Sequence, residues 1–220
     1  EAAFSGQTMA GNPMGTEELL ASFTPQQVKR EHAELLAHPE NIVFSFAGDI
    51  SAVQAKKLGE DYFGDLPAAT PVSEPPVTFT GGDYREATNN EQLNLKLGFR
   101  APSENDPDRF AVIMLEEYLS GGISSPLFQE IREKRGLVYG VGAAYAAFDT
   151  EGFFCVSAGT GKGNAGELIS VTLDLLGQVV RDGVDDEMLA QTRERIITGM
   201  NDTRETANGT CADNADQMLS

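Results

Sequence analysis

Hydrophobic and polar residues alternate most regularly over residues 93–100, where every second position is apolar: Leu93, Leu95, Leu97 and Phe99. This alternation predicts a strand with one buried face, because successive side chains of a strand point to opposite sides of the sheet. Two more strands are predicted at about 138–148 and 152–159, joined as a hairpin. A shorter alternating segment at 42–47 predicts a further strand.

Two helices in the first third of the chain are predicted from the residues at their starts. Thr24 and Gln27 have the spacing of a capping box, which begins a helix that runs to about residue 37. Ser51 and Gln54 repeat this spacing and begin a second helix. The apolar positions of the second helix are Val53, Leu58 and Tyr62.

Later helices are predicted after Asp106, Asn164 and Asp185. The first of these ends at Gly121. It is expected to direct the following side chains into the core: Phe110, Ile113, Met114 and Tyr118. The second is expected to direct these side chains inward: Leu168, Leu175, Leu176 and Val179.

The order of these elements predicts an α+β fold. Strands cluster with pairs of helices instead of alternating strictly with single helices, so we expect a mixed, mainly antiparallel sheet backed by helices. Residues 67–78 contain four prolines, which exclude a helix and favour an extended chain. This segment is therefore predicted to be a linker.

The segment 124–139 carries the clearest candidate chemistry. Ser125 and Gly136 are predicted to begin and end a helix over 126–135, because serine caps a helix start and glycine tolerates the left-handed conformation that ends one. Arg132 lies at the edge of the apolar side of this helix, and Tyr139 follows in the next strand. The apolar residues of that side are Leu127, Phe128 and Ile131.

Arg132 and Tyr139 together offer several hydrogen-bond donors. A guanidinium is a planar fork of N–H groups and a phenol adds one O–H, so the pair can hold a peptide carbonyl and stabilise negative charge that develops on its oxygen. A simpler interpretation is that Arg132 forms a surface ion pair with Glu130 or Glu133, and that Tyr139 packs on the sheet.

The segment 124–139 resembles the second, non-zinc half of the insulinase/pitrilysin family of zinc metallopeptidases, the inverzincins that include the mitochondrial processing peptidase. Looser similarity extends to 44–49, 91–92 and 159–160. The resemblance implies a fold in which each half has a mixed sheet backed by helices and two halves enclose a chamber. It also implies that Arg132 and Tyr139 are substrate-binding residues that reach toward a peptide bound at the zinc of the first half.

The zinc ligands of that family are the two histidines of an H-x-x-E-H helix and a distant glutamate. The chain has only two histidines, His32 and His38, in a segment that lacks this motif. Six residues apart on a helix, they point in different directions and cannot clamp one metal. His32 is expected to be a partly buried structural residue, because Val28 and Leu35 lie on the same side of the helix. No metal ligand or catalytic residue is assigned, and this chain alone is predicted to be inactive.

The resemblance implies a division of the chain into three parts. Residues 1–66 correspond to the tail of the first half, 67–78 to the linker, and 79–220 to the front of the second half. Zinc is then expected in an upstream half, either in the same chain or in a partner subunit, and the substrate is a peptide. The alternatives are a non-catalytic partner subunit of a two-subunit peptidase and a peptidase-like structural scaffold.

The charge composition excludes some classes of binding partner. The formal net charge is −18, from 34 acidic and 16 basic residues, which argues against nucleic acid or an anionic membrane as a partner. It suits attraction of basic peptides, although a solvated acidic surface explains it equally well.

No apolar run approaches the length of a membrane span. The compartment stays open between bacterial cytoplasm and periplasm. Cys155 and Cys211 have no metal-type spacing, and Cys155 is expected in the core.

Overall fold

The computed structural model describes residues 2–67, 75–87 and 89–219. The chain folds as two compact units. Unit 1 comprises Glu1–Gly11 and Pro76–Ile197, and unit 2 comprises Asn12–Pro75 and Thr198–Ser220. The helices, in chain order, are α1 (Glu17–Ser22), α2 (Pro25–Leu35), α3 (Ala52–Phe63), α4 (Arg109–Ser120), α5 (Ala165–Asp182), α6 (Asp186–Arg204) and α7 (Ala207–Leu219). A π-helical segment spans Phe128–Glu133, and single 3₁₀ turns lie at Ala2–Phe4, Thr8–Ala10, Pro39–Asn41 and Lys162–Asn164.

Unit 1 contains a three-stranded antiparallel sheet. Its strands are β1 (Gln92–Ala101), β2 (Val138–Ala147) and β3 (Gly152–Gly161), in the order β1-β3-β2. Exposure along β1 alternates residue by residue as predicted, and β2 and β3 form the predicted hairpin. The predicted α+β class, a sheet backed by helices, is confirmed.

Helices cover one face of this sheet. The buried apolar side chains of the main core cluster come from α4, the π-helix and the residue before it, the entry to β2, the centre of β3 and α5: Tyr118, Leu119, Leu127, Ile131, Leu137, Val138, Phe154, Val156, Leu168 and Val171. Burying apolar side chains of this size is the main stabilising contribution to such a domain. The core thus lies directly beneath the segment that carries Arg132.

The buried side of α4 differs from the predicted one. Tyr118 is buried as expected, but the Phe110 side chain is 60% exposed and Ile113 is also exposed. The sequence of α4 is apolar nearly all round, so its periodicity does not select a side. Packing of the helix on the sheet selects the side with Val112, Leu115 and Leu119.

The N-terminal segment packs in unit 1. The Phe4 ring makes edge contacts with the rings of Phe79, Phe148 and Phe153, with centroids about 6 Å apart. Gln7 pairs through its side-chain amide with both backbone groups of Thr78. The assignment of 1–66, 67–78 and 79–220 to the halves of a peptidase stays a prediction, and residues 68–74 of the linker lie outside the described residues.

Unit 2 is helical in its described part. The capping boxes of α2 and α3 are both formed, since Thr24 and Ser51 each exchange hydrogen bonds with the glutamine three residues later. The 42–47 segment forms no strand, which corrects the prediction. Alternation is a property of the local sequence, whereas a strand also requires a hydrogen-bonded neighbour, and the described sheet consists of β1, β2 and β3. The rings of Phe44 and Phe63 stack at 3.9 Å instead.

His32 is exposed, which corrects its expected burial. Val28 and Leu35, on the same side of α2, are themselves 58% and 70% exposed. The expectation assumed that an apolar side of a helix is covered, and in the described structure this side is not.

Candidate functional site

The π-helix that carries Arg132 packs one side in the hydrophobic core. Leu127 and Ile131 are fully buried, so this side of the helix is held in the core. The Lys134 N–H donates to the Gln129 carbonyl oxygen at 3.0 Å, a bond that spans five residues instead of four. The predicted helix is therefore present, but with a widened turn at the position of Arg132.

The start of this helix is not capped as predicted. The Ser125 carbonyl oxygen accepts from the Gln129 N–H at 2.9 Å. The Ser125 hydroxyl, however, is buried and has no hydrogen-bond partner in the described structure. A side-chain cap needs the hydroxyl to accept from one of the first free N–H groups of the helix, and the Ser125 hydroxyl accepts from none among the described residues.

The turn from the helix into β2 is tightly held. Gly136 ends the helix with φ +61°, a left-handed conformation that favours glycine. The carbonyl oxygen of the next residue, Leu137, accepts a buried 2.7 Å hydrogen bond from the Thr160 hydroxyl of β3. These contacts fix where β2 begins, and so where Tyr139 lies.

Tyr139 lies in a β-bulge. Val138 pairs with Thr160 and Val141 with Ala158, so two residues of β2 stand opposite one of β3. A bulge changes the direction of side chains locally and is frequent beside functional sites. The Tyr139 side chain is 85% exposed, so it does not pack on the sheet as the simpler interpretation proposed.

Arg132 contacts two aromatic rings. Its guanidinium carbon lies 4.5 Å from the ring centroid of Phe128 and 5.3 Å from that of Tyr139. Both distances are within the range of cation–π attraction. Such contacts orient the guanidinium through the ring faces, and they leave its N–H groups available to other acceptors.

The ion pair proposed for Arg132 is not formed. Glu130 instead accepts hydrogen bonds from Lys134 Nζ at 2.8 Å and from Arg135 Nη2 at 3.0 Å. These two cations hold the pKa of the Glu130 carboxyl below its usual value, Lys134 contributing first. In the described part of the chain Arg132 makes no ion pair, nor does the Tyr139 hydroxyl make a hydrogen bond.

Arg132 and Tyr139 therefore form one polar site, as their spacing suggested. The guanidinium lies over the ring of Tyr139, and the donors of both side chains are unused by the described residues. Such a pair can bind a carbonyl oxygen, and binds more strongly as that oxygen gains negative charge.

The outer edge of β2 is partly covered by α4. The Tyr145 N–H donates to Glu116 Oε2 at 3.1 Å, and the Ser120 hydroxyl donates to the Ala143 carbonyl oxygen at 3.4 Å. Desolvation raises the pKa of the Glu116 carboxyl. An extended peptide joining this edge could not pair with the Tyr145 N–H or the Ala143 carbonyl oxygen, which are already engaged.

Two features of the site went unpredicted: the widened helical turn and the bulge. The glycines at 140 and 142 were a usable signal for the bulge, because glycine within a strand often marks one. The i, i+4 spacing of Glu130 and Lys134 was likewise visible in the sequence, and it indicated that the Glu130 carboxylate would pair with Lys134.

The described residues do not fit a zinc site. Nowhere in 2–67, 75–87 and 89–219 do three or more His, Cys, Asp or Glu side chains converge to hold a metal ion. His32 and His38 lie in unit 2, and neither belongs to such a group. No helix among the described residues is long and apolar enough to cross a bilayer.

Comparison with known proteins identifies a family. The model of the family described as "Peptidase M16 inactive domain" matches residues 22–196, about four fifths of the chain. An uncharacterized zinc protease of Mycobacterium leprae is 32% identical over 216 residues, which are 92% of this chain and 48% of the relative. An uncharacterized zinc protease of Bacillus subtilis is 28% identical over 222 residues, which are 100% of this chain and 53% of the relative. The chain thus spans about half the length of these relatives.

Solved structures share the fold. A peptidase M16 inactive domain from Pseudomonas fluorescens superimposes with a TM-score of 0.73 at 21% identity, covering 98% of this chain and 51% of the other. A chain of complex III2 from Candida albicans superimposes with a TM-score of 0.77 at 14% identity, covering 99% of this chain and 54% of the other. At such identities the likeness concerns the fold alone.

Proposed function

This chain belongs to the peptidase M16 family, in its inactive domain, and from that premise we propose that it is the substrate-positioning portion of a zinc metalloendopeptidase that cleaves peptides or unfolded segments. The zinc and the glutamate that activates water lie in a separate half, in the same chain or in a partner subunit. The relatives named as zinc proteases support this proposal, and so does their length, about twice that of this chain.

One observation supports the proposal most strongly. Arg132 is oriented by two aromatic rings, while Glu130, one of the two carboxylates on its helix, is held by Lys134 and Arg135. The ring contacts hold the guanidinium against Tyr139 through the ring faces and do not use its N–H groups. Arg132 and Tyr139 instead keep their donors for an external oxygen.

The proposed role is to hold the carbonyl of the scissile peptide bond. The Arg132 fork and the Tyr139 hydroxyl donate to that oxygen, and they donate more strongly once it carries the negative charge of the tetrahedral intermediate. Zinc bound in the other half supplies Lewis-acid polarisation and an activated water. Because Gly136, Thr160 and the buried Ile131 hold the segment rigidly, the two donors are pre-arranged before substrate arrives.

Two alternatives concern the same fold. A non-catalytic partner subunit would keep the carbonyl contacts while its own first half lacks zinc ligands. A structural scaffold is suggested by the likeness to a chain of Candida albicans complex III2. The unpaired state of Arg132 favours the first two roles, because a scaffold has no use for unused donors.

Substitutions in the whole protein test the proposal. Arg132→Ala and Tyr139→Phe are expected to lower the turnover of an unfolded peptide substrate by about 100- to 1000-fold, the range for loss of an oxyanion donor, with zinc content unchanged. Lys134→Ala is the matched control, because it removes a neighbouring exposed cation while Arg135 still holds Glu130. Loss of zinc from the Arg132 or Tyr139 variant would contradict the roles proposed, and full turnover in both would show that neither residue binds the carbonyl.

A further inference from the structure

The face of the sheet opposite the helices carries a shallow groove beside Tyr139. The groove has a volume of about 280 Å³ and crosses all three strands of the sheet. Its polar side chains are Asn94, Lys96 and Ser157, and its bed is formed by Gly140, Gly142 and Gly159.

The glycine bed keeps the groove open. A β-carbon added at Gly140 or Gly142 would meet no atom within 4 Å, so the space above these positions is empty. Neither glycine has a positive φ, so neither is required by the backbone conformation. In strands, where bulky side chains are preferred, glycine weakens the structure and often marks a place where another chain approaches closely.

The groove has an unusual charge for this protein. The chain holds 34 acidic residues, yet β1, β2 and β3 contain none. Their two basic residues are Lys96 and Arg100, and Arg100 is engaged by a bidentate ion pair with the buried Glu151. Within the described residues Lys96 forms no ion pair, so the groove presents a single uncompensated positive charge.

The strand register places this charge within reach of a peptide at Tyr139. Lys96 pairs with Ser157 on β3, and Ser157 pairs with Gly142 on β2. Neighbouring strands are about 4.8 Å apart, so the backbones of Lys96 and Gly142 are separated by about 10 Å. Tyr139 lies three residues before Gly142 on β2 and an extended chain advances about 3.3 Å per residue, so a peptide held at Tyr139 would bring a group about four residues away over Lys96.

We propose that Lys96, with Asn94 and Ser157, forms a subsite that binds a carboxylate of the peptide whose carbonyl is held by Arg132 and Tyr139. This inference rests on the proposed function and adds to it a preference for peptides that carry a carboxylate. The carboxylate belongs to an acidic side chain or to the free C-terminus of the peptide. The ammonium supplies the charge, and the Asn94 amide and the Ser157 hydroxyl add neutral donors beside it.

Equilibrium binding to the whole protein, with zinc removed so that no peptide is cleaved, tests the subsite. The probes are short peptides of glycine, serine and alanine, labelled with an uncharged fluorophore, that carry one glutamate, or glutamine in its place. Each is made with a free or an amidated C-terminus, which separates the two sources of the carboxylate. Wild-type protein is expected to prefer a peptide with a carboxylate over its neutral counterpart.

Three variants sharpen the test. Lys96→Met is expected to remove that preference by weakening the carboxylate peptide about two- to fivefold, the range for an exposed charge pair, and Lys96→Glu to reverse it. Gly142→Leu places a side chain in the open space and is expected to weaken every peptide that crosses the groove. Arg132→Ala is expected to weaken all probes equally, because it acts on the carbonyl.

The outcomes separate the subsite from the proposed function. An unchanged preference in Lys96→Glu, together with uniform weakening in Arg132→Ala, overturns the subsite and leaves the carbonyl contact in place. A preference that follows Lys96 while Arg132→Ala binds normally supports the subsite and contradicts the carbonyl contact. Absence of binding by the wild-type protein overturns both.

Discussion

Arg132 and Tyr139 are in contact although seven positions and a change from helix to strand separate them: the guanidinium carbon lies 5.3 Å from the centre of the tyrosine ring. The contact exists because the π-helix, the turn at Gly136 and the bulge of β2 bring the two side chains to one surface.

Arg132→Lys is expected to lose most of the function that Arg132→Ala loses. Lysine keeps a charge over the two rings but replaces the planar fork by a single ammonium, which cannot donate in the same bidentate geometry. Turnover of an unfolded peptide by the whole protein, at saturating concentration, measures this. Recovery of wild-type turnover in Arg132→Lys would show that charge alone is used.

Gly136→Ala is expected to destabilise unit 1 by about 1 kcal/mol, because φ +61° is strained for a residue with a β-carbon. Gly140→Ala is the matched control, since Gly140 has no positive φ and open space above it. Denaturant unfolding of both variants gives the comparison. Equal stabilities would mean that the turn relaxes without cost.

Ser125→Ala is expected to leave stability unchanged or to raise it by about 1 kcal/mol, because the buried Ser125 hydroxyl has no hydrogen-bond partner in the described structure. Thr160→Val provides the contrast. It removes the donor to the buried Leu137 carbonyl oxygen and is expected to cost about 1–3 kcal/mol. Thermal unfolding distinguishes the two. A large loss in Ser125→Ala would reveal a partner for that hydroxyl.

The pH dependence of stability is expected to differ in sign between Glu116 and Glu130. Desolvation raises the folded-state pKa of Glu116, so the folded protein binds this proton more tightly, and the carboxyl destabilises the fold as pH rises above its unfolded value near 4.5. Glu116→Gln, which can still accept from the Tyr145 N–H, should therefore gain stability relative to wild type as pH rises toward neutrality. Urea unfolding across this range measures the gain.

Glu130→Gln serves as the opposite control. The pKa of Glu130 is lowered by hydrogen bonds from Lys134 and then Arg135, so its stabilising contribution is present above the unfolded pKa and is lost as pH falls through the folded one. Glu130→Gln should therefore lose stability relative to wild type at neutral pH and match it in acid. If the stability of both variants relative to wild type changed with pH in the same direction, the causes assigned to the two pKa shifts would be wrong.

The chain by itself is expected to hydrolyse no peptide, because its two histidines do not form the family's zinc motif and the described residues offer no zinc triad. Assay of the purified chain with an unfolded protein substrate, with and without added zinc, measures this. Chelator-sensitive cleavage that copurifies with stoichiometric zinc would contradict it.

Local sequence determined much of the fold. The alternation over 93–100 needed only a helix-covered face to become β1, and the capping boxes at Thr24 and Ser51 closed as their spacing requires, because each involves residues within one turn. The family, the class of fold and the pairing of Arg132 with Tyr139 were likewise accessible, since the motif that carries them is continuous.

Tertiary structure alone decided the remaining questions. It left 42–47 unpaired, chose the buried side of α4 and exposed His32, because burial and strand pairing depend on neighbours remote in sequence. It also decided that Glu130 binds Lys134 and Arg135 instead of Arg132. Which of several nearby cations a carboxylate reaches is set by a widened helical turn and a bulge, and the free donors of Arg132 are the result.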